Sequence, residues 1–190
     1  MRFLFLIVLG VLFTACGSTT STVVDAEKIK ALDALVAQKN FEIVSDWAYP
    51  LANANVNAVA ISGLLPPGSN ANSISLVGNP NHLRIYGDSV SISLPYFGER
   101  QLPGSYNPRT IGFEYDGIAE RLNVKYNEKK QRYLINFYIK NREESCKVML
   151  ILFPDLESDL IINSSHRTTI SYRGNVSQHS ENTTTITENE

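Results

Sequence analysis

The sequence predicts an all-β, mainly antiparallel protein: a β-sandwich or partly closed barrel of about nine strands with one N-terminal α-helix. Three observations predict it. From Phe41 onward, apolar side chains recur with a period of two instead of 3.6. Turn-forming residues interrupt that alternation every 8–15 residues. The links between successive strands are short, which requires antiparallel pairing, since a parallel return needs a crossover of a dozen or more residues. The 190 residues, 43% of them hydrophobic, suffice for one domain, and a β-rich unit of roughly 140 residues buries about 65–70% of its unfolded surface. A net charge of −2 supplies no basic field for nucleic acid.

The helix is placed at residues 25–39. Asp25 can N-cap it, and Val24 with Ile29 fits a hydrophobic staple. Ile29, Leu32, Leu35 and Val36 then make one apolar stripe, suited to cover an end or open edge of the sheet. Phe41, Ile43, Trp47 and Tyr49 mark the first strand, which stops at Pro50. Residues 53–62, NANVNAVAIS, fit either a short helix or an irregular strand. After the break at Pro66-Pro67-Gly68, Ile74 and Leu76 alternate with serines up to the turn at 78–81. The clearest hairpin follows: Leu83 to Leu94 folds about Gly87-Asp88, a pair suited to a type I′ or II′ turn.

An aromatic, Gly- and Pro-rich loop at 96–108 leads to strands at Ile111-Phe113-Tyr115 and Leu122-Val124-Tyr126. The charged turn 127–131 precedes Tyr133-Ile135-Phe137-Ile139, with Leu134 and Tyr138 on the opposite face. Residues 146–153, CKVMLILF, are apolar at almost every position, which predicts a central strand buried on both faces, under the helix or between two layers. Short strands at 160–162 and 168–172 complete the domain. The SISL tetrapeptides at 73–76 and 91–94 reflect strand alternation and not a repeat. Residues 177–190 hold a single large apolar side chain, Ile186, and are expected to be a disordered polar tail.

The amino terminus reads differently. Phe3 to Phe13 is an apolar run after Arg2, and as a helix it spans roughly 16 Å, about half of a 30 Å hydrocarbon core. That is the length of a signal-peptide core, so residues 1–15 are expected to be removed. Ala15-Cys16 resembles the lipobox of bacterial lipoproteins, with Phe13 where that motif usually has Leu. On that reading Cys16 is acylated, residues 16–24 are a polar tether, and loss of Arg2 takes the net charge from −2 to −3. The membrane is then a partner through the acyl chains on Cys16. An ordinary secretory signal with Cys16 as a bystander is the alternative. With Cys16 acylated, Cys146 has no disulfide partner and is expected to be a buried strand residue with an unreactive thiol.

Chemistry-bearing motifs are sparse. His82, His166 and His179 stand apart from one another and from cysteine, so no local zinc pattern exists, and all three read as loop histidines. No P-loop, G-x-S-x-G, H-E-x-x-H or C-x-x-C is present, and no cofactor is expected. Glu114 and Asp116 flank Tyr115 on one strand face. Such a pair can bind a cation or act as acid and base, but the favoured reading is a solvated sheet surface. Tyr96, Phe97, Arg100 and Tyr106 form a candidate ligand or partner rim, by stacking and bidentate contact. The other reading has Tyr96 and Phe97 plugging one end of the sheet while Arg100 pairs with a carboxylate.

Taken together, the lipobox, Gly87-Asp88-Ser89-Val90, Leu94-Pro95-Tyr96-Phe97-Gly98-Glu99-Arg100, Phe113-Glu114-Tyr115-Asp116-Gly117, the stretch from Tyr126 to Tyr133 and that from Arg167 to Gly174 resemble one family. It is domain-of-unknown-function family 4251, small lipoproteins of the Bacteroidetes, and the resemblance covers residues 25 to about 176. It implies an all-β envelope lipoprotein and brings no activity or catalytic residues. The chain departs from it in a longer connection between Pro50 and Gly78. In these bacteria an acidic run after the lipidated cysteine favours surface display. Gly17-Ser18-Thr19-Thr20 has none, so an outer-membrane lipoprotein facing the periplasm is expected. Asp88-Ser89-Val90 also resembles their periplasmic O-glycosylation acceptor, making Ser89 a candidate. The function expected is a non-enzymatic module that binds an unknown protein or small molecule. A structural or stress-related envelope protein without a ligand, and a hydrolase of envelope polymers built on a carboxylate pair, are the alternatives.

Overall fold

The computed structural model describes residues 26–51, 53–102, 112–141 and 144–179. The expected leader at 1–15, Cys16 and the expected tether, Tyr106, Ile111 and residues 180–190 lie outside that set. Helix α1 (Ala26–Gln38) is followed by β1 (Asn40–Pro50), helix α2 (Ala54–Ile61), β2 (Ile74–Ser75), β3 (His82–Tyr86), β4 (Ser89–Leu94), β5 (Phe113–Ile118), β6 (Glu120–Asn127), β7 (Arg132–Lys140), β8 (Ser145–Leu152), β9 (Glu157–Ser164) and β10 (Ile170–Gln178). The pairing order is β5-β4-β3-β1-β10-β9-β8-β7-β6, every pair antiparallel, with the short β2 added beside β1.

The result is a nearly closed barrel, and its closure has a simple origin. Strands β5 and β6 are separated by Ala119 alone and run in the same direction. The first half of this bent strand pairs with β4 and the second half with β7. Inward positions follow the two-residue period: Ile43, Leu83, Ile85, Ile92, Ile135, Phe137, Val148, Leu150, Leu160, Ile162 and Tyr172 are buried. Within β6, Leu122 packs partly on the core, while Val124 and Tyr126 stay exposed despite their apolar alternation.

Helix α1 lays Leu32 and Val36 into one open end of the barrel, and Tyr133 donates to Asp33 Oδ1 at 2.7 Å. The helix stops at Lys39, whose φ of +47° is left-handed backbone. The Gly87-Asp88 hairpin forms as expected, with Tyr86 opposite Ser89. A positive φ at Gly87 (+64°) and not at Asp88 makes the turn type II′.

The ambiguous 53–62 segment is helical because Asn53 Oδ1 caps the amide of Val56 at 2.9 Å. The first strand changes partner midway, pairing with β3 through Asn40–Ile43 and with β2 through Trp47–Ala48. Asn81 fills the break: its Oδ1 accepts from Ser45 N at 2.8 Å and its Nδ2 donates to Ser45 O at 3.0 Å. On the other side of the same bulge the backbones approach so closely that a Cβ on Gly174 would meet Val44 O at 2.0 Å.

Two expectations need correction. Strand β8 is not buried on both faces: Cys146, Val148, Leu150 and Leu152 point inward, while Lys147 is exposed and Met149 and Ile151 are half-buried outside. Among the described residues no second layer covers it. The outer face carries a small apolar patch instead: Ile151, Ile161 and Tyr49 line a shallow groove of about 290 Å³ beside the Arg173–Asp159 pair. The last strand also continues to Gln178, two residues past the expected start of the tail, because Ser177 and Gln178 pair with Glu42 and Phe41. Among the described residues no helix is long and apolar enough to cross a membrane.

Candidate functional site

The alternation Ser89-Val90-Ser91-Ile92-Ser93-Leu94 puts three aliphatic side chains inside the barrel and three serines outside. Neighbouring strands carry longer side chains on that outer face. Register places His82 and Glu114 on either side of Ser93, Arg84 and Asp116 beside Ser91, and Tyr86 and Ile118 beside Ser89. Small residues between tall ones make a trough of about 360 Å³, lined by His82, Ser91, Ser93, Glu114, Tyr115 and Asp116.

The polar groups there are tied loosely. Ser93 donates to Glu114 Oε1 at 3.0 Å and Tyr86 to Asp116 Oδ1 at 2.9 Å, while His82 Nε2 and Ser91 Oγ lie 3.1 Å apart. Arg84 turns away, donating through Nε and Nη2 to Glu42 Oε1 at 3.0 and 2.9 Å. Burial, reinforced by the Arg84 charge, pushes the His82 pKa down from 6.5, so its ring is neutral at pH 7. The bond to Asp116 raises the Tyr86 hydroxyl pKa, keeping it a donor. Among the described residues no Lys or Arg makes a salt bridge to Glu114 or Asp116, so the trough holds two carboxylates whose partners are hydroxyls. No group of three His, Cys, Asp or Glu among those residues can hold a metal ion.

The trough runs into a second groove of about 270 Å³, where Ser93 and Glu114 are joined by Pro80, Leu94, Pro95, Tyr96 and Phe97. Tyr96 and Phe97 are half-buried and pack on the core. The Tyr96 ring meets Phe113 edge-on at 5.4 Å, and its hydroxyl lies 2.8 Å from Thr168 Oγ1 and 3.0 Å from Glu99 O. Behind them, Arg167 and Glu144 form a buried ion pair, 6% and 7% exposed, with Nε 3.1 Å from Oε1. The guanidinium faces both the Phe113 and Tyr96 rings, at 4.7 and 5.2 Å, and donates to Gly112 O at 2.8 Å. Ser164 donates to the same Glu144 oxygen.

Of the predicted rim, Tyr96 and Phe97 therefore come together, whereas Arg100 is exposed and contributes a backbone bridge to Arg167. Tyr106 lies outside the described residues. The arginine that stacks on Tyr96 is Arg167, far away in sequence and without a local signature. Glu114 and Asp116 do share one face, and that face points outward. Ser89 begins β4 on the same outer face, half-buried, after Asp88, whose carboxylate pairs with Lys39 at 3.1 Å. Cys146 is buried and its thiol is pushed up to about 12, first by burial and then by the Glu144 charge. His166 sits in the β9–β10 loop, hydrogen-bonded to Ser165 at 2.7 Å. His82 belongs to β3 instead of a loop, and the trough serines were legible only as strand alternation.

The fold is similar to one determined by crystallography. A DUF4251 family protein from Bacteroides eggerthii DSM 20697, solved at 1.95 Å resolution, superposes with a TM-score of 0.53 at 14% identity, covering 81% of this chain and 89% of that one. No curated protein matches the chain. Residues 24–176 match the family described as Domain of unknown function (DUF4251). A nearly closed antiparallel barrel with one leading helix, and a family match that spans it from α1 to β10, lead to one assignment: the chain belongs to the DUF4251 family.

Proposed function

We propose that this chain is a lipid-anchored, non-enzymatic binding module of the cell envelope, held by acyl chains on Cys16 in the outer membrane and facing the periplasm. The observation that carries the binding reading is the continuity of the serine trough with the Tyr96–Phe97 groove through Ser93 and Glu114. A ligand lying along it meets two hydroxyl-partnered carboxylates, a neutral imidazole and apolar ring surface. That combination suits a molecule rich in hydrogen-bond donors with an apolar flank.

Native mass spectrometry of the full chain extracted from membranes tests this. A retained non-lipid mass is expected, and Ser91→Trp, which fills the trough from its outer side without touching the core, is expected to release it. Equal retention by both proteins counts against the trough. A second reading, a structural envelope protein without a ligand, draws support from a barrel interior occupied by Phe41, Phe137 and Tyr172. A bare mass in both proteins would favour it.

A further inference from the structure

The excursion between β1 and β3 has an unusual composition. From Trp47 to Leu83 there is no Asp, Glu, Lys or Arg, in a chain where such residues are 19% of the total. The segment is nevertheless at the surface. Val56 is the only buried residue of helix α2, while Ile61, Leu64 and Val77 are 87%, 78% and 76% exposed, and Leu51 and Val59 are exposed as well. A water-facing helix ordinarily opposes its apolar stripe with charged residues, and a protein-binding patch is rimmed by polar and charged groups. A lipid interface penalises charge and rewards protruding aliphatic side chains.

We propose that helix α2 and the adjoining Ile61–Leu64 and Val77 tips are a second membrane contact, seated in the interfacial layer of the bilayer to which Cys16 tethers the chain. The proposal rests on the lipid-anchor reading. Geometry permits both contacts at once. The nine residues from Gly17 to Asp25 reach up to about 30 Å, and the eleven residues of β1 extend about 36 Å. A tilted barrel, its α2 end on the membrane and its other end lifted on the extended tether, thus satisfies both contacts. Tethering raises the local concentration of the surface, so shallow insertion of a few side chains is sufficient.

The test uses the full-length processed protein with a single environment-sensitive dye at Ile61→Cys, Leu64→Cys or, as control, Glu128→Cys at the opposite barrel end. Cys146 is buried and escapes labelling. In phosphatidylethanolamine/phosphatidylglycerol vesicles, dyes at 61 and 64 should shift to the blue. They should also be quenched by shallow lipid-borne quenchers at least threefold more than the dye at 128. Equal access of aqueous iodide to all three positions overturns the proposal. So does protection that rises with protein concentration without vesicles, which assigns the surface to a second copy. Intact mass of the same samples reads the anchor separately. Acyl mass without contact removes this inference alone, contact without acyl mass removes the anchor alone, and loss of both removes both.

Discussion

The two ends of the barrel are closed by opposite chemistries. At one end α1 inserts Leu32 and Val36, and the polar groups at its rim are peripheral pairs: Tyr133 with Asp33, Lys39 with Asp88, Gln38 with Gln178. At the other end a guanidinium and a carboxylate are themselves the filling, stacked against Phe113 and Tyr96 and roofed by the loop after β4. An apolar cap tolerates small shifts, because dispersion and burial are nearly non-directional. A buried ion pair does not, since each partner removed leaves the other desolvated and unpaired. The charged end is therefore the brittle one, and it is also the end that shapes the Tyr96–Phe97 groove.

The largest expected effect follows from that contrast. Arg167→Ala strands Glu144 in the interior and should cost about 3–5 kcal/mol in urea unfolding. Replacing both partners, Arg167→Met with Glu144→Leu, should recover most of the loss. If the double variant is as unstable as the single one, the plug depends on more than charge compensation. At the helical end Leu32→Ala should cost about 2–4 kcal/mol, as cavity formation in a packed site does. Tyr172→Phe, which removes the hydroxyl that donates to Pro95 O at 2.8 Å, should cost about 1–2 kcal/mol. Asp88→Asn breaks an ion pair between two well-exposed side chains and should change stability by less than about 0.5 kcal/mol.

Alkaline pH separates the ends by their onset, with no effect at neutrality. The Cys146 thiol, pushed from 9.0 up to about 12, ionises more readily in the unfolded chain than in the folded one. Its contribution is fully present below pH 9 and is lost as pH rises toward 12. Burial and the bond to Asp33 hold the Tyr133 hydroxyl at about 12 against an ordinary 10.0, so its loss begins one unit later. Cys146→Ala should delay the onset of alkaline destabilisation to about pH 10, read by urea midpoints across a pH series. The shift also lowers the thiolate fraction of Cys146 about a thousandfold. Iodoacetamide at pH 8 should therefore spare the native thiol and modify it on unfolding.

Legibility in the sequence divides along the same line as the two ends. Helix α1, the Gly87-Asp88 hairpin and the inward faces of β3, β4 and β7 rest on local periodicity and turn chemistry, so they could be read directly. The brittle end could not. Arg167, Glu144, Tyr96 and Phe113 meet only because β8 pairs with β9, β5 stands against β4 and the Arg100 segment bridges to Arg167, and no local pattern encodes that meeting. Strand β8 misled for a related reason: its apolar run suggested two buried faces, when Met149 and Ile151 are half-buried on the outside and Ile151 shares a shallow groove with Ile161 and Tyr49. In the candidate site, the outward sharing of Glu114 and Asp116 was readable, whereas the serine trough beside them needed the register of three strands.

The pairing of β1 with β10 has a consequence in time. Phe41 lies opposite Gln178 and Pro50 opposite Ile170, so the first strand waits for the last before either has its full set of partners. Contacts that span nearly the whole chain form late, because the loop they close must first be ordered. Until β10 arrives, the first strand offers one open edge and the barrel cannot shut. A chain with that connectivity keeps one edge of the Phe41–Tyr49 strand unpaired until its C-terminal strand is available.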